Sequence, residues 1–252
     1  MIKLINSGCN GHMGQVVTAV VKNDPDAQIV AGLDIDAKQQ AGYPVFEKPT
    51  DMPGDLTADV IIDFSNPAAL ESILAYGKSK NIPLILCTTG YSAEQIDAIQ
   101  QASKLIPVFR SSNMSVGINL LIDLIKRACT VLGEEFDIEI VERHHKRKVD
   151  APSGTALMLA DAASFAIPYD TSYVYERESI RKPRESNEIG ISSVRGGTIV
   201  GVHDVIFAGH DEIIELRHTA ASRDIFAIGA VKAAKFIKGK TPGLYTMKDV
   251  LS

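Results

Sequence analysis

Short apolar runs alternating with helix-like segments fill the first 113 residues, and this alternation limits the possible folds more than any other feature of the chain. "IKLINSG", "AQIVAGLDI", "DVIIDFS", "PLILCTTG" and "IPVFRSSN" read as buried strands. Between them, "GQVVTAVVKN", "PAALESILAYGKSK" and "SAEQIDAIQQASK" read as helices, the last opened by the capping residue Ser92. Strands buried on both faces and separated by helices predict a parallel sheet covered on both sides.

The pattern changes after Met114. A long apolar helix candidate, "VGINLLIDLIKRACTVLG", leads into "FDIEIVERHH", which alternates like a half-exposed strand. A second helix, "TALMLADAASFA", follows. "GISSVRGGTIVGVHDVIFAG" and "DEIIELRHTA" then read as strands joined by glycine-containing turns, with antiparallel pairing expected. The polar segment "YDTSYVYERESIRKPRESNE" reads as a loop, and "DIFAIGAVKAAKFIKG" as a final helix free to pack on either part. No internal repeat appears. The expected class is α/β: a nucleotide-type domain followed by an α+β domain.

Composition matters mainly for what it excludes. A net charge of -5 and a pI near 5.7 argue against general nucleic-acid binding, which leaves a basic footprint. No run approaches the roughly 18 apolar residues of a membrane helix. The start, "MIKLINSGCNG", lacks the apolar core and cleavage site of a signal peptide. Cys9, Cys87 and Cys129 are odd in number and irregularly spaced, which fits a reducing, cytoplasmic compartment and neither a disulfide framework nor a metal site.

"SGCNGHMG" follows the first strand and opens the first helix. Gly8, Gly11 and Gly14 allow a tight turn and bring backbone N–H groups near a pyrophosphate, although Asn10 stands where a middle glycine is usual. Asp34 ends the second strand, about where an acid binds an adenosine ribose 2′-OH. Strand, turn, helix and acid together point to a dinucleotide. Asp34 suits NADH and Ile35 offers no charge to a 2′-phosphate, although Lys38 is within reach of one. Ser65, Thr88 and Thr89, at the carboxyl ends of later strands, are candidates to hold a nicotinamide ring, with simple capping the favoured reading for Ser65.

The stretch "VERHHKRKVDAPSGTALMLA" is the second candidate site. Ser153 is a natural N-cap, Pro152 restricts the entry, and Gly154 admits a ligand to the free N–H groups of the helix start. Lys148 and one or both of His144 and His145 stand upstream of this anion pocket. Such donors hold a carboxylate or phosphate, while a histidine exchanges a proton near neutrality. Lys146 and Arg147 read as a solvated rim. Arg195, in "RGGTIVG", fits either an anion contact or a hairpin bend, and His203, Arg217 and His218 read as sheet-surface or interface residues.

"ERHHKRKVDAPSGTA" resembles the long E-x-H-H-x-x-K-x-D-x-P-S-G-T-A signature of the dihydrodipicolinate reductase family. The resemblance extends through "GCNGHMG", "IDFS", "CTTG", "SSNMSVG", "EIGISSVRGG" and "ASRDIFAIGAV", and so over nearly the whole chain. It implies a Rossmann-like dinucleotide-binding domain of residues 1–113 plus 224–252. A substrate-binding and tetramerisation domain of residues 114–223 would build a homotetramer. The implied activity is NADH- or NADPH-dependent reduction of 4-hydroxy-tetrahydrodipicolinate, or its dehydrated form, to tetrahydrodipicolinate on the diaminopimelate route to lysine.

Carried over by motif, His144 is the proton donor and Lys148 its catalytic partner. His145, Ser153, Gly154, Thr155 and Thr89 bind the dicarboxylate. Gly8, Cys9, Asn10, Gly11, His12, Met13, Asp34, Cys87, Thr88, Thr89, Ser111, Ser112, Asn113 and Met114 contact the cofactor. Three positions depart from the family pattern. His12 replaces a usual Arg or Lys, Ile35 an Arg found in some members, and Val202 a common Glu. The first two favour NADH used at least as well as NADPH. The alternatives are another reductase of a small carboxylate on the same scaffold, or a non-catalytic dinucleotide sensor. A sensor has no need of a proton donor.

Overall fold

The computed structural model describes residues 1–37 and 42–251, which leaves Lys38 outside the described residues. Its elements run β1 (Ile2–Ser7), α1 (His12–Lys22), β2 (Ala27–Leu33), β3 (Val45–Phe46), β4 (Val60–Asp63), α2 (Leu70–Lys80), β5 (Leu84–Leu86), α3 (Ala93–Ser103) and β6 (Pro107–Arg110). Then come α4 (Val116–Leu132), β7 (Asp137–His144), α5 (Gly154–Ala166), β8 (Ser172–Val174), β9 (Glu188–Arg195), β10 (Gly201–Ala208) and β11 (Ile213–Ala220). The chain closes with α6 (Asp224–Ile237), β12 (Gly243–Tyr245) and α7 (Met247–Leu251). Two compact units result, Met1–Val116 with Arg223–Ser252, and Gly117–Ser222.

The first unit is built on a parallel seven-stranded sheet in the order β12-β6-β5-β4-β1-β2-β3. Successive side chains on a strand face opposite ways. Leu4, Val60, Ile62, Ile85 and Phe109 therefore meet α1 and α6 on one face. Ile5, Ile61, Leu84, Leu86 and Val108 meet α2 and α3 on the other. The small residues of α6 suit this close packing, with Ala227, Ala230, Ala233 and Ala234 fully buried. Gly229 is obligatory there, because a Cβ would stand 1.7 Å from the Met114 carbonyl oxygen. The chain moves outward from β1 through β2 to β3, then crosses back to β4 on the other side of β1. That reversal opens a crevice at the carboxyl ends of β1 and β4, where ligands of such sheets bind.

The second unit holds a five-stranded mixed sheet, β11-β10-β7-β9-β8, with α4 and α5 on one face. Pairing departs from the sequence expectation here. β10 and β11 form the expected antiparallel hairpin, but β9 and β10 flank β7 on opposite sides, and β9 runs parallel to it. The glycine turn after β9 docks on the end of β7, with Gly196 donating to the His144 carbonyl at 2.9 Å. Arg195 is therefore at no hairpin bend. β8, inside the segment expected to be a loop, is a short parallel partner of β9. No helix among the described residues is long and apolar enough to cross a membrane.

Candidate active site

The turn between β1 and α1 is set by backbone proximity. Gly8 has φ 77°, and a Cβ on it would lie 2.7 Å from the Phe64 carbonyl oxygen. A Cβ on Gly14 would lie 2.0 Å from the Gly8 oxygen, so α1 can start this close to the sheet only with glycine there. No side chain caps α1, which leaves its first-turn N–H groups to an outside acceptor. A crevice of about 850 Å³ opens beside the turn, lined among others by Gly8, Asn10, Gly11, Asp34, Ile35 and Ser65. Asp34 accepts from the Asn10 N–H at 2.9 Å and from the Asp36 N–H at 3.2 Å. These bonds fix the carboxylate at the crevice wall. Glycines that admit close approach, an uncapped helix start and an acid at the end of β2 fit a dinucleotide.

A smaller crevice of about 310 Å³ is lined by Met13, Phe64, Ser65, Thr88, Thr89 and Phe226, with Cys87. Thr89 thus lies in the first unit with the cofactor candidates. Cys9 and Met114 bury their side chains in the core, so neither offers its side chain to a ligand. Burial also pushes the Cys87 thiol well up, as does the Asp63 charge. Ser111 Oγ donates to the Asn113 carbonyl, and Asn113 Oδ1 accepts from the Ser115 N–H, which fixes the turn after β6. His12 and Ser112 are exposed.

In the second unit, the alternation of β7 places Glu142 and His144 on the same buried face as Ile138 and Ile140. Glu142 is fully buried. Arg195 grips both its oxygens at 2.8 and 2.7 Å, His144 Nδ1 lies 2.6 Å from Oε2, and the Ser153 N–H donates to Oε1 at 3.1 Å. Burial pushes this carboxyl up, but hydrogen bonds from Arg195 and His144 win and hold it down at about 2. An anionic Glu142 on Nδ1 makes that nitrogen a donor and leaves Nε2 of His144 for chemistry. A Cβ on Gly201 would stand 3.2 Å from that Nε2, so glycine keeps the approach clear.

Ser153 caps α5, its Oγ accepting from the Ala156 N–H at 3.2 Å. The same Oγ lies 3.1 Å from Nε2 of His203. His203 is 4% exposed and edge-on to His144, with ring centroids 5.2 Å apart. It is a buried member of the cluster and not the surface residue expected from sequence. Burial pushes its pKa down to about 4, helped by the neighbouring His144 charge. Arg217, by contrast, is exposed on the sheet and pairs with Asp204. His218 is half-buried, opposite His203 in register.

Lys148 pairs with Asp150 at 2.8 Å, and Asp150 in turn gives its carbonyl to Arg195. The lysine is thus tied into the Glu142–Arg195 network, and a substrate anion must compete with Asp150 for it. Gly154 and Thr155 form the first turn of α5, and a Cβ on Gly154 would meet nothing within 4 Å. His145 is half-buried, while Lys146 and Arg147 are exposed. The motif alone does not point to Glu142, although that residue opens the signature. Its sequence signal was the period-two alternation of "FDIEIVERHH", which carries an acid into the core two residues before a histidine.

Residues 2–114 match the family model for the N-terminus of dihydrodipicolinate reductase, and residues 117–251 that for its C-terminus. The 4-hydroxy-tetrahydrodipicolinate reductase of Clostridium novyi (strain NT) is 53% identical over 251 residues, covering 100% of this chain and 98% of that protein. The enzyme of the same name from Caldanaerobacter subterraneus is 51% identical with the same coverage. Among solved structures, the dipicolinate-bound dihydrodipicolinate reductase from Paenisporosarcina sp. TG-14 is similar with a TM-score of 0.84 at 23% identity, covering 100% of both chains. An Agrobacterium radiobacter oxidoreductase in complex with NAD+, L-tartaric acid and magnesium gives 0.59 at 14% identity, covering 99% of this chain and 92% of that one. At such identities these structures speak for the fold alone. Two family matches that tile almost the whole chain, and relatives half identical from end to end, place this protein in the dihydrodipicolinate reductase family.

Proposed function

We propose that the protein reduces 4-hydroxy-tetrahydrodipicolinate, or its dehydrated form, to tetrahydrodipicolinate at the expense of NADH or NADPH. The observation that carries this reading is the buried Glu142–His144 pair, gripped by Arg195 beside the start of α5, in a chain that matches the family model. Bound in the first unit, a reduced nicotinamide supplies the hydride. The other tasks fall to the chain's own groups. The α5 N–H groups, Thr155, His145 and Lys148 hold the dicarboxylate. As hydride adds to a conjugated ring carbon, negative charge develops across the ring, and these cationic and dipolar groups stabilise it more in the transition state than in the ground state. His144, protonated on both ring nitrogens, delivers the proton from Nε2 while Glu142 accepts from Nδ1–H and holds the ring in place.

NADH is used at least as well as NADPH in this account. A carboxylate at Asp34 accepts from a ribose hydroxyl and repels a 2′-phosphate, and the neighbouring Ile35 is 95% exposed and uncharged. We also propose a cytoplasmic homotetramer, assembled through the face of the second sheet opposite α4 and α5. Strand alternation puts Val141, Val194, Val202 and Ile206 on that face.

The test follows oxidation of NADH and NADPH by the purified protein with substrate freshly made by the preceding synthase. Turnover dependent on that substrate is expected, with kcat/KM for NADH equal to or above that for NADPH. No turnover with either would overturn the assignment. A large NADPH advantage would overturn the reading of Asp34 and Ile35.

A further inference from the structure

Asp63 ends β4 at the centre of the first sheet and is fully buried. Among the described residues no cation pairs with it. Its partners are neutral donors instead. Ser65 gives both its N–H, at 3.2 Å, and its Oγ, at 2.5 Å, to Oδ1. Thr88 Oγ1 donates to Oδ2 at 2.8 Å, and Tyr91 Oη reaches the same oxygen at 3.5 Å. Burial and the Asp63 charge push the Tyr91 phenol up, so it remains a protonated donor.

A hydroxyl has one proton and two lone pairs. A carboxylate only accepts, so it draws the protons of Ser65 and Thr88 toward itself. Their remaining lone pairs turn away from Asp63. Both residues line the 310 Å³ crevice, whose other walls include Phe64, Phe226 and Met13. That crevice therefore combines apolar walls, suited to a flat ring, with an edge of acceptor oxygens whose polarity Asp63 sets.

We propose that Asp63 is a positioning residue for the cofactor: by fixing Ser65 and Thr88 as acceptors, it makes this edge select the amide N–H₂ of a nicotinamide carboxamide and so fixes the orientation of the ring. The proposal rests on the dinucleotide reading above. It separates Asp63 from a purely structural role, because a strand-end acid that merely caps the Ser65 turn has no reason to change which group the crevice prefers.

The test compares Kd values, from fluorescence titration, for NADH and reduced 3-acetylpyridine adenine dinucleotide, which carries a methyl ketone in place of the amide. Wild type is expected to favour NADH. Asp63→Asn is nearly isosteric but donates to one hydroxyl, which turns that hydroxyl's proton toward the crevice. The NADH preference should fall about tenfold, the scale of one neutral hydrogen bond. Thr88→Val should lose a similar share and Thr88→Ser should keep it. If Asp63→Asn does not fold, the Thr88 pair decides. An unchanged preference in the folded variants, with or without a lower Tm, would overturn the proposal. Failure of wild type to bind NADH at all would instead overturn the dinucleotide reading beneath it.

Discussion

A buried carboxylate left alone in a protein interior takes up a proton, and Glu142 stays anionic only because Arg195 holds both its oxygens and His144 donates to one of them. The consequence for chemistry is the aim of His144, whose Nδ1–H is held by a carboxylate. Glu142→Gln keeps the shape but can present an N–H to Nδ1, and kcat is expected to fall by about two orders of magnitude while the Kd for NADH holds. Steady-state kinetics beside a fluorescence titration checks both halves. His203 makes a separate prediction about stability. Its pKa is pushed to about 4 in the fold from an ordinary value of 6.5, so between those values the unfolded chain binds the extra proton. Stability should therefore fall as pH drops from 6.5 toward 4. A His203→Asn variant should show a flatter Tm over that window, measured by thermal melts at stepped pH. At this scale the sequence offers His144, Lys148 and Ser153 as candidates because they sit in one stretch. It offers Arg195 and His203 without their place beside Glu142 and His144, because a sheet brings them in and registers between distant strands have no local signature.

Among elements, the two helix starts differ in what their glycines do. At α1, Gly14 is a packing requirement, and Gly14→Ala forces the helix off the sheet by collision with the Gly8 carbonyl. Overpacking of that kind costs about 1–3 kcal/mol, and both Tm and dinucleotide binding should suffer. At α5, Gly154 faces open space. Gly154→Ala should leave stability within about 0.5 kcal/mol, as surface substitutions do, yet raise the substrate KM by crowding the helix start. Paired melts and kinetics on the two variants separate packing from ligand approach. The parallel sheet and its helices were legible from alternating patterns alone. The pairing of β9 was not, since a glycine turn between two strands reads as a hairpin unless the strand between them, β7, is known to be central. Short β3, β8 and β12 lack enough residues to show a period.

For the whole molecule, the chain enters the first unit, leaves it at α4, and returns with α6. The return is structural: α6 supplies one wall of the core, and β12 adds the last parallel strand beside β6. Met247, at the start of α7, is 1% exposed in the same core. Deleting residues 241–252 strips the partner from β6 and uncovers that core, so Tm should drop by several degrees and aggregation should rise, visible in melts and light scattering. The change of pattern near Met114 announced a second unit. The destination of the last helix was open from composition, and small-residue packing of Ala230 and Gly229 against the first unit decides it. The candidate dinucleotide groups thus lie in one unit and the proposed proton donor in the other, and the two functions should be separable by mutation.

The most direct test of this division is a single-turnover experiment on His144→Ala with bound NADH and synthase-generated substrate. The account predicts a Kd for NADH equal to that of wild type, with hydride transfer slowed by about 10² to 10⁴, the usual contribution of a positioned proton donor. Hydride transfer at the wild-type rate, or NADH binding lost together with turnover, would contradict it.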